Sequence, residues 1–386
     1  MTTYNTTDLH QISIPRGVLA TRYIFLVLGL AISIWAALIP FIKNRLQLNE
    51  AELGGLLLLI GTGALLSMPW AGWLTNRWGC RKTLNRSTSV FLMALVLLGY
   101  TSNVFFFAVM LFIFGMSSGV IDIAMNIQAS LIEKMTDRRF MSSFHGMYSL
   151  GGFLGALLFS FLLKLGLSAL WAMILFSIVM ISGNVFIFQR YFFPFGIQNS
   201  TKSSPFIRPK GIILFLSVLC FIFYLSDGVV LDWGALLMIS KGAHLELAGM
   251  AFSIFSIAIT VGRLWGDQLI NRFGAKTMIT ASGVTALVGF TVLLIAFSPF
   301  VAIIGFCIIG LGVSNLIPIL FSYASQQSIV PISQAVSSIT TLGYLGLMSG
   351  PPLMGFIAHH FHLTFVFIIV AVLIFIASCL ARKFLH

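Results

Sequence analysis

Twelve long apolar runs occupy almost the whole of this 386-residue chain. Each is close to the roughly 20 residues that an α-helix needs to cross a hydrocarbon core of about 30 Å. Inside lipid every backbone N–H and C=O group must be hydrogen-bonded internally, so runs of this length are predicted to be helices. The composition agrees, because 8% of the residues are charged, whereas soluble domains carry roughly 25%. The sequence therefore predicts an all-α membrane protein.

The runs fall into two sets of six. A polar stretch near residues 190–210 separates them, and we predict 12 transmembrane helices in two six-helix bundles. The predicted domains are an N-terminal bundle at 1–190, a cytoplasmic linker at 191–210 and a C-terminal bundle at 211–386. The predicted spans are 17–42, 52–75, 83–101, 104–130, 141–163, 168–189, 211–240, 248–270, 277–296, 300–323, 332–358 and 363–382.

The basic residues are distributed unequally between the two sides of the predicted membrane. If the N-terminus is cytoplasmic, 18 of the 22 Lys and Arg residues lie on the cytoplasmic side, and the exceptions are Lys43, Arg45, Lys164 and Lys241. This excess places both termini in the cytoplasm by the positive-inside rule. Because the same rule accounts for the net charge of +12, we expect no nucleic-acid partner. The first residues lack the pattern of a cleavable signal peptide, so the first span is expected to be retained.

Residues in the second half correspond to residues in the first half at a constant offset of 195 positions. Asn76 corresponds to Asn271, and the same offset holds without a gap across five elements. Parallel repeats of six helices are typical of one large transporter class. The other matching pairs are Arg77 with Arg272, Gly79 with Gly274, Arg81 with Lys276, Gly115 with Gly310, Ser142 with Ser337, Ser143 with Ser338, Gly151 with Gly346 and Gly155 with Gly350.

The loop after the second span carries a family resemblance. Residues 72–82 read GWLTNRWGCRK, which resembles the loop 2–3 signature of the major facilitator superfamily, G-x-L-a-D-R-x-G-R-K. A degenerate copy, GDQLINRFGAK, follows the eighth span at 266–276. This chain has Asn76 and Cys80 where the signature has Asp and Arg, so a charge-relay role of that acid does not transfer directly.

The resemblance implies that these two loops take part in gating. Arg263 and Asp267 stand four residues apart at the end of the eighth span, where they can pair on one helix face in a structural or gating role. The alternative is that the loops only anchor the helices at the cytoplasmic surface. The predicted gating residues are Asn76, Arg77, Gly79, Arg81, Arg263, Asp267, Asn271, Arg272 and Gly274.

Five further segments narrow the resemblance to bacterial facilitators of the MosC-like type, which lie near the fucose permeases. They are DIAMNIQ at 122–128, FHGMYSLGG at 144–152, SDGVVLDW at 226–233, GVSNLIP at 312–318 and GYLG at 343–346 with GPP at 350–352. The resemblance implies proton-coupled uptake of a small polar solute, such as a sugar or polyol, across the inner membrane by alternating access. It implies a monomer in the lipid bilayer, with no cofactor and no enzymatic activity.

Other functions stay open. One alternative is an exporter of a metabolite or drug, although the fifth span lacks the proline-bearing glycine motif of drug antiporters. Another is a non-transporting membrane receptor or enzyme on the same scaffold. No nucleotide-binding loop or hydrolase motif is present in the sequence.

Three acids lie well inside the apolar runs, Asp122, Asp227 and Asp232. An ionised side chain at membrane depth costs roughly 2.5–3.5 kcal/mol on insertion scales, so each needs a reason to be there. In facilitators that resemble the fucose permeases an acid in the fourth span takes part in proton coupling, and Asp122 matches it. We predict proton coupling by Asp122 and His145, and the alternative for His145 is a packing role. The alternative is a buried Asp122 bonded to the backbone or to Asn126. The first span carries no acid, unlike that of the fucose permeases.

The substrate is expected near the middle of the membrane, between the two halves. Asn315 beside Pro318 has an alternative role as a contact between helices. A histidine cluster at 359–362 is interpreted as a solvated edge, and no metal site is predicted. The predicted substrate-binding residues are Trp35, Asn126, Tyr148, Asp227, Asn315 and Tyr344.

Overall fold

The structure, a computed structural model, describes residues 14–194, 209–244 and 250–384. Most of the predicted linker, 195–208, lies outside the described residues, as do positions 1–13 and the side chain of His359. All regular structure in the described part of the chain is helical, which confirms the predicted fold class.

The helices follow the predicted runs. The helix at Ala169–Ser182 continues as a π-helical turn at Gly183–Phe188 and a 3₁₀ turn at Gln189–Tyr191. The helices are α1 Ile14–Leu46, α2 Glu50–Tyr100, α3 Val104–Thr136, α4 Met141–Lys164, α5 Ala169–Ser182, α6 Gly211–Ser240, α7 Met250–Phe273, α8 Ala275–Ile295, α9 Pro299–Val313, α10 Leu316–Gln326, α11 Ile332–Phe361 and α12 Leu363–Phe384.

Within the described residues, nine segments are long and apolar enough to cross a membrane. One of them, Glu52–Tyr100, has 49 residues and contains two of the predicted spans. The helices α7 and α11 are not among the nine, and both carry polar residues along their length. If Glu52–Tyr100 is counted as two crossings and α7 and α11 are added, the nine segments become the twelve predicted crossings.

Two glycines turn the chain at the two signature loops. Gly79 divides α2 with φ 79° and ψ 160°, and Gly274 separates α7 from α8 with φ 81° and ψ 151°. A positive φ is disfavoured for residues with a Cβ, which explains glycine at both places. The two glycines are a matching pair of the sequence repeat, so the repeat is also one of backbone geometry.

By their internal contacts the residues group into two compact units. The start of α4 groups with the second unit and the start of α11 with the first. The domain limits predicted from the sequence stay a prediction. The first unit is Met1–Thr136, Met147–Arg208 and Ser328–Ser337, and the second is Asp137–Gly146, Pro209–Gln327 and Ser338–His386.

In each unit glycines let helices pack closely, as they do between α1 and α4 in the first unit and between α6 and α11 in the second. In the first unit, a Cβ at Gly151 of α4 would collide with the carbonyl of Leu26 in α1. In the second unit, a Cβ at Gly346 of α11 would collide with the carbonyl of Phe221 in α6. Small residues allow membrane helices to approach this closely. Both partners of the contact are related by the constant offset of the sequence repeat.

A second contact in the same two helix pairs has its glycine on the opposite helix in each unit. Gly29 of α1 packs against the backbone of Tyr148 in α4, whereas Gly343 of α11 packs against the ring of Tyr224 in α6. The offset of the repeat relates Gly29 to Tyr224 and Tyr148 to Gly343. Each pair therefore keeps one glycine and one tyrosine, on opposite helices.

Candidate functional site

Asp122 and Asn126 form a buried polar pair near the middle of α3. The Asn126 Nδ2 group donates to the backbone oxygen of Asp122 at 2.9 Å and to its Oδ1 at 3.3 Å. The side chains are 8% and 1% exposed. Among the described residues, neither Asp122 Oδ2 nor Asn126 Oδ1 has a hydrogen-bond partner. The bond to Asn126 is the contact that the alternative interpretation expects, but it occupies only one carboxyl oxygen.

The two unbonded oxygens define what this pair can do chemically. A buried polar atom without a partner costs about 1–3 kcal/mol. A proton on Asp122 would remove the buried charge and supply an O–H donor, whereas Asn126 Oδ1 can only accept. The pair is therefore suited to hold a proton, or to accept hydrogen bonds from a ligand hydroxyl or a water molecule.

The helix α3 is longer than predicted at its cytoplasmic end. It continues to Thr136 rather than ending near residue 130, and Glu133 is 2% exposed within it. Sequence reasoning placed this acid in the loop and so missed it as a buried charge. The apolar run ends at residue 130, which gave no signal that tertiary packing extends the buried part of the helix.

Trp35 lies in an aromatic cluster within the first unit. Its ring centroid is 6.1 Å from that of Phe107 and 5.7 Å from that of Phe114, and the side chain is 5% exposed. Tyr148 is half-buried. The indole thus has packing partners of its own, and contact of either residue with a substrate stays a prediction.

Asp227 lies near the middle of α6 in the second unit. It is half-buried, whereas Asp232, five residues later, is exposed. Tyr224 precedes Asp227 by one helical turn, so the two side chains share a side of α6. The ring of Tyr224 is 6.1 Å from that of Tyr344 in α11, inclined by 39°. A carboxyl group on the same side of a helix as a tyrosine ring can bond hydroxyl groups while the ring offers an apolar face to the same ligand.

Asn315 lies at the break between α9 and α10. Its Nδ2 group donates to the carbonyl of Gly262 in α7 at 3.0 Å and to the hydroxyl of Ser314 at 3.0 Å. These are the helix–helix contacts of the alternative interpretation. Its Oδ1 atom is buried and has no hydrogen-bond partner among the described residues, so a substrate contact there stays a prediction.

Arg263 compensates for a proline in the neighbouring helix. Pro318 has no N–H group and cannot donate to the carbonyl of Ser314, four residues earlier. The Arg263 Nε group donates to that carbonyl instead, at 3.1 Å, and the arginine is buried. Sequence reasoning noted both residues but missed the link, which depends on how α7 packs against the break between α9 and α10.

Asp267 caps the N-terminus of α4. Its Oδ1 accepts from the backbone N–H of Ser142 at 2.9 Å, and its Oδ2 accepts from that of Ser143 at 2.8 Å. The first N–H groups of a helix have no partner within the helix, and a carboxylate there also complements the helix dipole. The structure thus gives Arg263 and Asp267 further partners besides the pairing predicted between them.

His145 lies one turn inside α4. It is 7% exposed, and its ring centroid is 5.4 Å from that of Phe321 in α10. By its contacts it belongs to the second unit, whereas Asp122 belongs to the first. Coupling between His145 and Asp122 stays a prediction.

The predicted gating loop of the first unit has its own contacts. The Asn76 Nδ2 group donates to the hydroxyl of Ser333, in the first turn of α11, at 2.5 Å. Gly72, one turn earlier, leaves no room for a Cβ against the carbonyl of Ser333. Asn76 therefore touches the start of α11, as Asp267 touches the start of α4.

Arg81 holds the segment that follows α5. Its backbone N–H donates to the carbonyl of Phe193 at 2.8 Å, and its guanidinium donates to those of Phe192 at 3.1 Å and Arg190 at 2.6 Å. Gln128 Oε1 accepts from the backbone N–H of Phe193 at 3.0 Å. These contacts are those of an anchor at the cytoplasmic end of the first unit.

The remaining predicted gating residues are at the surface. Arg77 lies 5.3 Å from the ring centroid of Trp73, and Arg272 lies 5.3 Å from that of Phe273. Asn271 is exposed.

These helices, signature loops and buried polar residues can be compared with known proteins. The sequence profile of the Major Facilitator Superfamily matches residues 23–331. This chain belongs to the Major Facilitator Superfamily. It is a multi-pass transporter of the inner membrane, with twelve transmembrane helices in two bundles and both termini in the cytoplasm.

Two relatives cover most of this facilitator. An uncharacterised MFS-type transporter of Yersinia pestis is 38% identical over 384 residues, which is 97% of this chain and 98% of the relative. Membrane protein MosC of Rhizobium meliloti is 30% identical over 344 residues, or 88% of this chain and 83% of the relative. The second relative agrees with the MosC-like resemblance of the sequence.

Solved structures show the same fold. The Escherichia coli fucose:proton symporter FucP aligns with a TM-score of 0.72 at 14% identity, covering 94% of this chain and 98% of FucP. The proton:xylose symporter XylE, bound to 6-bromo-6-deoxy-D-glucose, aligns with a TM-score of 0.72 at 16% identity, covering 99% of this chain and 97% of XylE. At such identities the likeness establishes the facilitator fold and not a shared substrate.

Proposed function

We propose that this facilitator takes up a sugar- or polyol-like solute by proton symport and alternating access. The observation that carries the proposal is the Asp122–Asn126 pair, a buried carboxyl in the middle of a transmembrane helix with one oxygen unbonded. Two solved structures of the same fold are titled as proton symporters of fucose and xylose. The substrate class rests on that analogy and on the chemistry of the polar residues.

Asp122 is assigned the proton. A charged carboxylate is costly in its buried setting, so the carboxyl holds the proton while the site changes the side to which it is open. Opening to the cytoplasm would admit water and permit the proton to leave. Asn126 bonds only Oδ1 and leaves Oδ2 to take the proton. His145 is kept as a secondary participant in the coupling.

Substrate hydroxyls are assigned to the polar groups near the middle of the helices. Asp227 would accept from a hydroxyl, and Asn126 and Asn315 each offer a buried oxygen without a partner among the described residues. The rings of Tyr224 and Tyr344 would cover an apolar face of the solute. Tyr148 and Trp35 complete the proposed set of contacts.

The gate is assigned to the helix ends at the cytoplasmic surface. Two sets of hydrogen bonds would have to break when the protein opens to the cytoplasm. They are the bonds of the Asp267 carboxylate to the first turn of α4 and the bond of Asn76 to Ser333 of α11. Gly79 and Gly274 set the turns that carry these residues. Arg81 and Arg263 hold neighbouring backbone in place and would move with their helices.

The proposal is tested by uptake into proteoliposomes with an alkaline lumen. A panel of labelled hexoses, pentoses and polyols is offered with and without the pH gradient, and Asp232→Asn is the matched control because Asp232 is exposed on α6. We expect gradient-driven accumulation of at least one solute, unchanged in the control. Binding without any crossing would replace symport by a receptor function. Efflux of preloaded solute driven by proton entry would replace it by export.

A further inference from the structure

A stripe of mostly exposed side chains runs along α2 toward the cytoplasmic surface. Leu66, Trp70, Leu74 and Arg77 are spaced by four, four and three residues, so they share one face of the helix. Leu66 is 58% exposed and Trp70 45% exposed. Arg77, at the end of the stripe, is exposed and lies over the ring of Trp73.

The apolar part of the stripe borders a groove. A cavity of about 400 Å³ lies between α2 and α3 in the first unit, with Phe112, Met116 and Val120 on its α3 side and the stripe on its α2 side. Its one polar wall residue, Ser67, is engaged with the carbonyl of Met116 at 2.9 Å. The groove therefore offers apolar contact without a polar group that needs a partner.

The polar end of the stripe suits an anion. The rings of Trp70 and Trp73 are 6.4 Å apart, and the Arg77 guanidinium continues from Trp73 at 5.3 Å. Tryptophan favours the depth of lipid headgroups. Arginine bonds phosphate oxygens with two parallel N–H groups. The cytoplasmic leaflet, where Arg77 lies, is the leaflet in which basic residues meet anionic lipids.

The second half repeats the stripe. By the offset of the sequence repeat, Trp265, Leu269 and Arg272 correspond to Trp70, Leu74 and Arg77. Trp265 is 57% exposed, and Arg272 is exposed. The pattern of an exposed tryptophan, a leucine and an exposed arginine on one face thus occurs at the same place in both halves. This repetition of the stripe is an observation that does not depend on the groove.

We propose that an anionic phospholipid binds to the α2 stripe, with an acyl chain in the α2–α3 groove and its phosphate on Arg77. An occupant with a long apolar part and a negative end matches both ends of the site. A free phosphate would leave the groove unused, and a second copy of the chain would have to bring an anionic group to Arg77. The proposal is independent of the proposed symport.

The test uses the full chain purified in a neutral detergent and titrated with phosphatidylglycerol, phosphatidylcholine or inorganic phosphate. Thermal stabilisation reports binding. We expect phosphatidylglycerol to bind, phosphatidylcholine to bind more weakly and phosphate alone to have no effect. Arg77→Gln should weaken phosphatidylglycerol about fivefold, the factor for roughly 1 kcal/mol per basic residue. Arg138→Gln, which removes another exposed cytoplasmic charge, should leave the affinity unchanged.

Location is tested with phosphatidylglycerol brominated in its acyl chains, which quenches nearby tryptophan. We expect the quenched fraction to fall in Trp70→Phe, a variant that keeps an aromatic ring at the groove. Equal binding of phosphatidylcholine, an equal loss in Arg138→Gln, or quenching unchanged in Trp70→Phe would each overturn the proposal. So would cross-linking of two chains through a cysteine placed at Met116.

Discussion

At the scale of single residues, Asp122 is the carboxyl on which the proposed coupling depends. Asp122→Asn keeps the size and the bond to Asn126 but cannot take up or release a proton. We expect it to abolish accumulation driven by a pH gradient while the substrate still binds and exchanges. The measurement is uptake and counterflow in proteoliposomes, with Asp232→Asn as the control. If Asp122→Asn still shows gradient-driven uptake at a normal rate, proton coupling would be reassigned to Asp227.

Arg263 permits a test of a single hydrogen bond. Arg263→Met leaves the Ser314 carbonyl unbonded, which should cost about 1–3 kcal/mol of unfolding free energy. Pro318→Ala supplies an N–H group one turn away, so we expect the double variant to recover at least half of that loss. Denaturant unfolding in detergent measures each variant, and Arg272→Gln is the exposed control. A double variant no more stable than Arg263→Met would exclude this account of the Ser314 carbonyl.

Roles of single residues were only partly predictable from the sequence. The pairing of Asp122 with Asn126 follows from a spacing of four residues, and the alternative interpretation of Asp122 anticipated it. The cluster of Trp35 with Phe107 and Phe114 did not follow, because a run that is apolar all round carries no signal of which side faces a neighbour. The fold class was predictable because the bilayer sets the length of every helix.

At the scale of helices and turns, Gly274 sets the start of α8. A Cβ there would meet no atom within 4 Å, so only its φ of 81° opposes substitution. We expect Gly274→Ala to cost about 1–3 kcal/mol, because φ 81° with ψ 151° lies in a backbone region that is essentially restricted to glycine. Gly54→Ala is the control, because Gly54 is helical and its Cβ would also meet nothing; it should be neutral or stabilising. Equal effects of the two substitutions on unfolding would show that φ is not the cause.

The capping of α4 by Asp267 is a second feature at this scale. Asp267→Ala removes the acceptor of both the Ser142 and Ser143 N–H groups, and bonds to a charged acceptor are worth about 1.5–3 kcal/mol. We therefore expect amide hydrogen exchange in the first turn of α4 to become roughly 10- to 100-fold faster. Mass spectrometry of that peptide measures it, and the first turn of α9, capped by Ser298, is the internal control. Unchanged exchange at 142–143 would remove Asp267 as the cap.

At the scale of the whole molecule, the repeat of the two halves joins sequence, backbone and packing. It relates the turns at Gly79 and Gly274, the glycine contacts in each unit and the two exposed tryptophan–arginine stripes. The sequence alone predicted the repeat from the signature loops. The exchange of glycine and tyrosine between Gly29–Tyr148 and Tyr224–Gly343 became visible only with the structure. In the sequence repeat each of these positions aligns a glycine with a tyrosine and so looks like a mismatch.

The most direct test of proton symport is the proton movement that accompanies the solute. Vesicles containing the protein are placed in weakly buffered medium without a gradient, and the solute identified in the uptake screen is added while external pH is recorded. We predict that the medium becomes alkaline as solute and protons enter together, and that Asp122→Asn abolishes this change. Entry of labelled solute into the wild-type vesicles with no change in external pH would contradict the account.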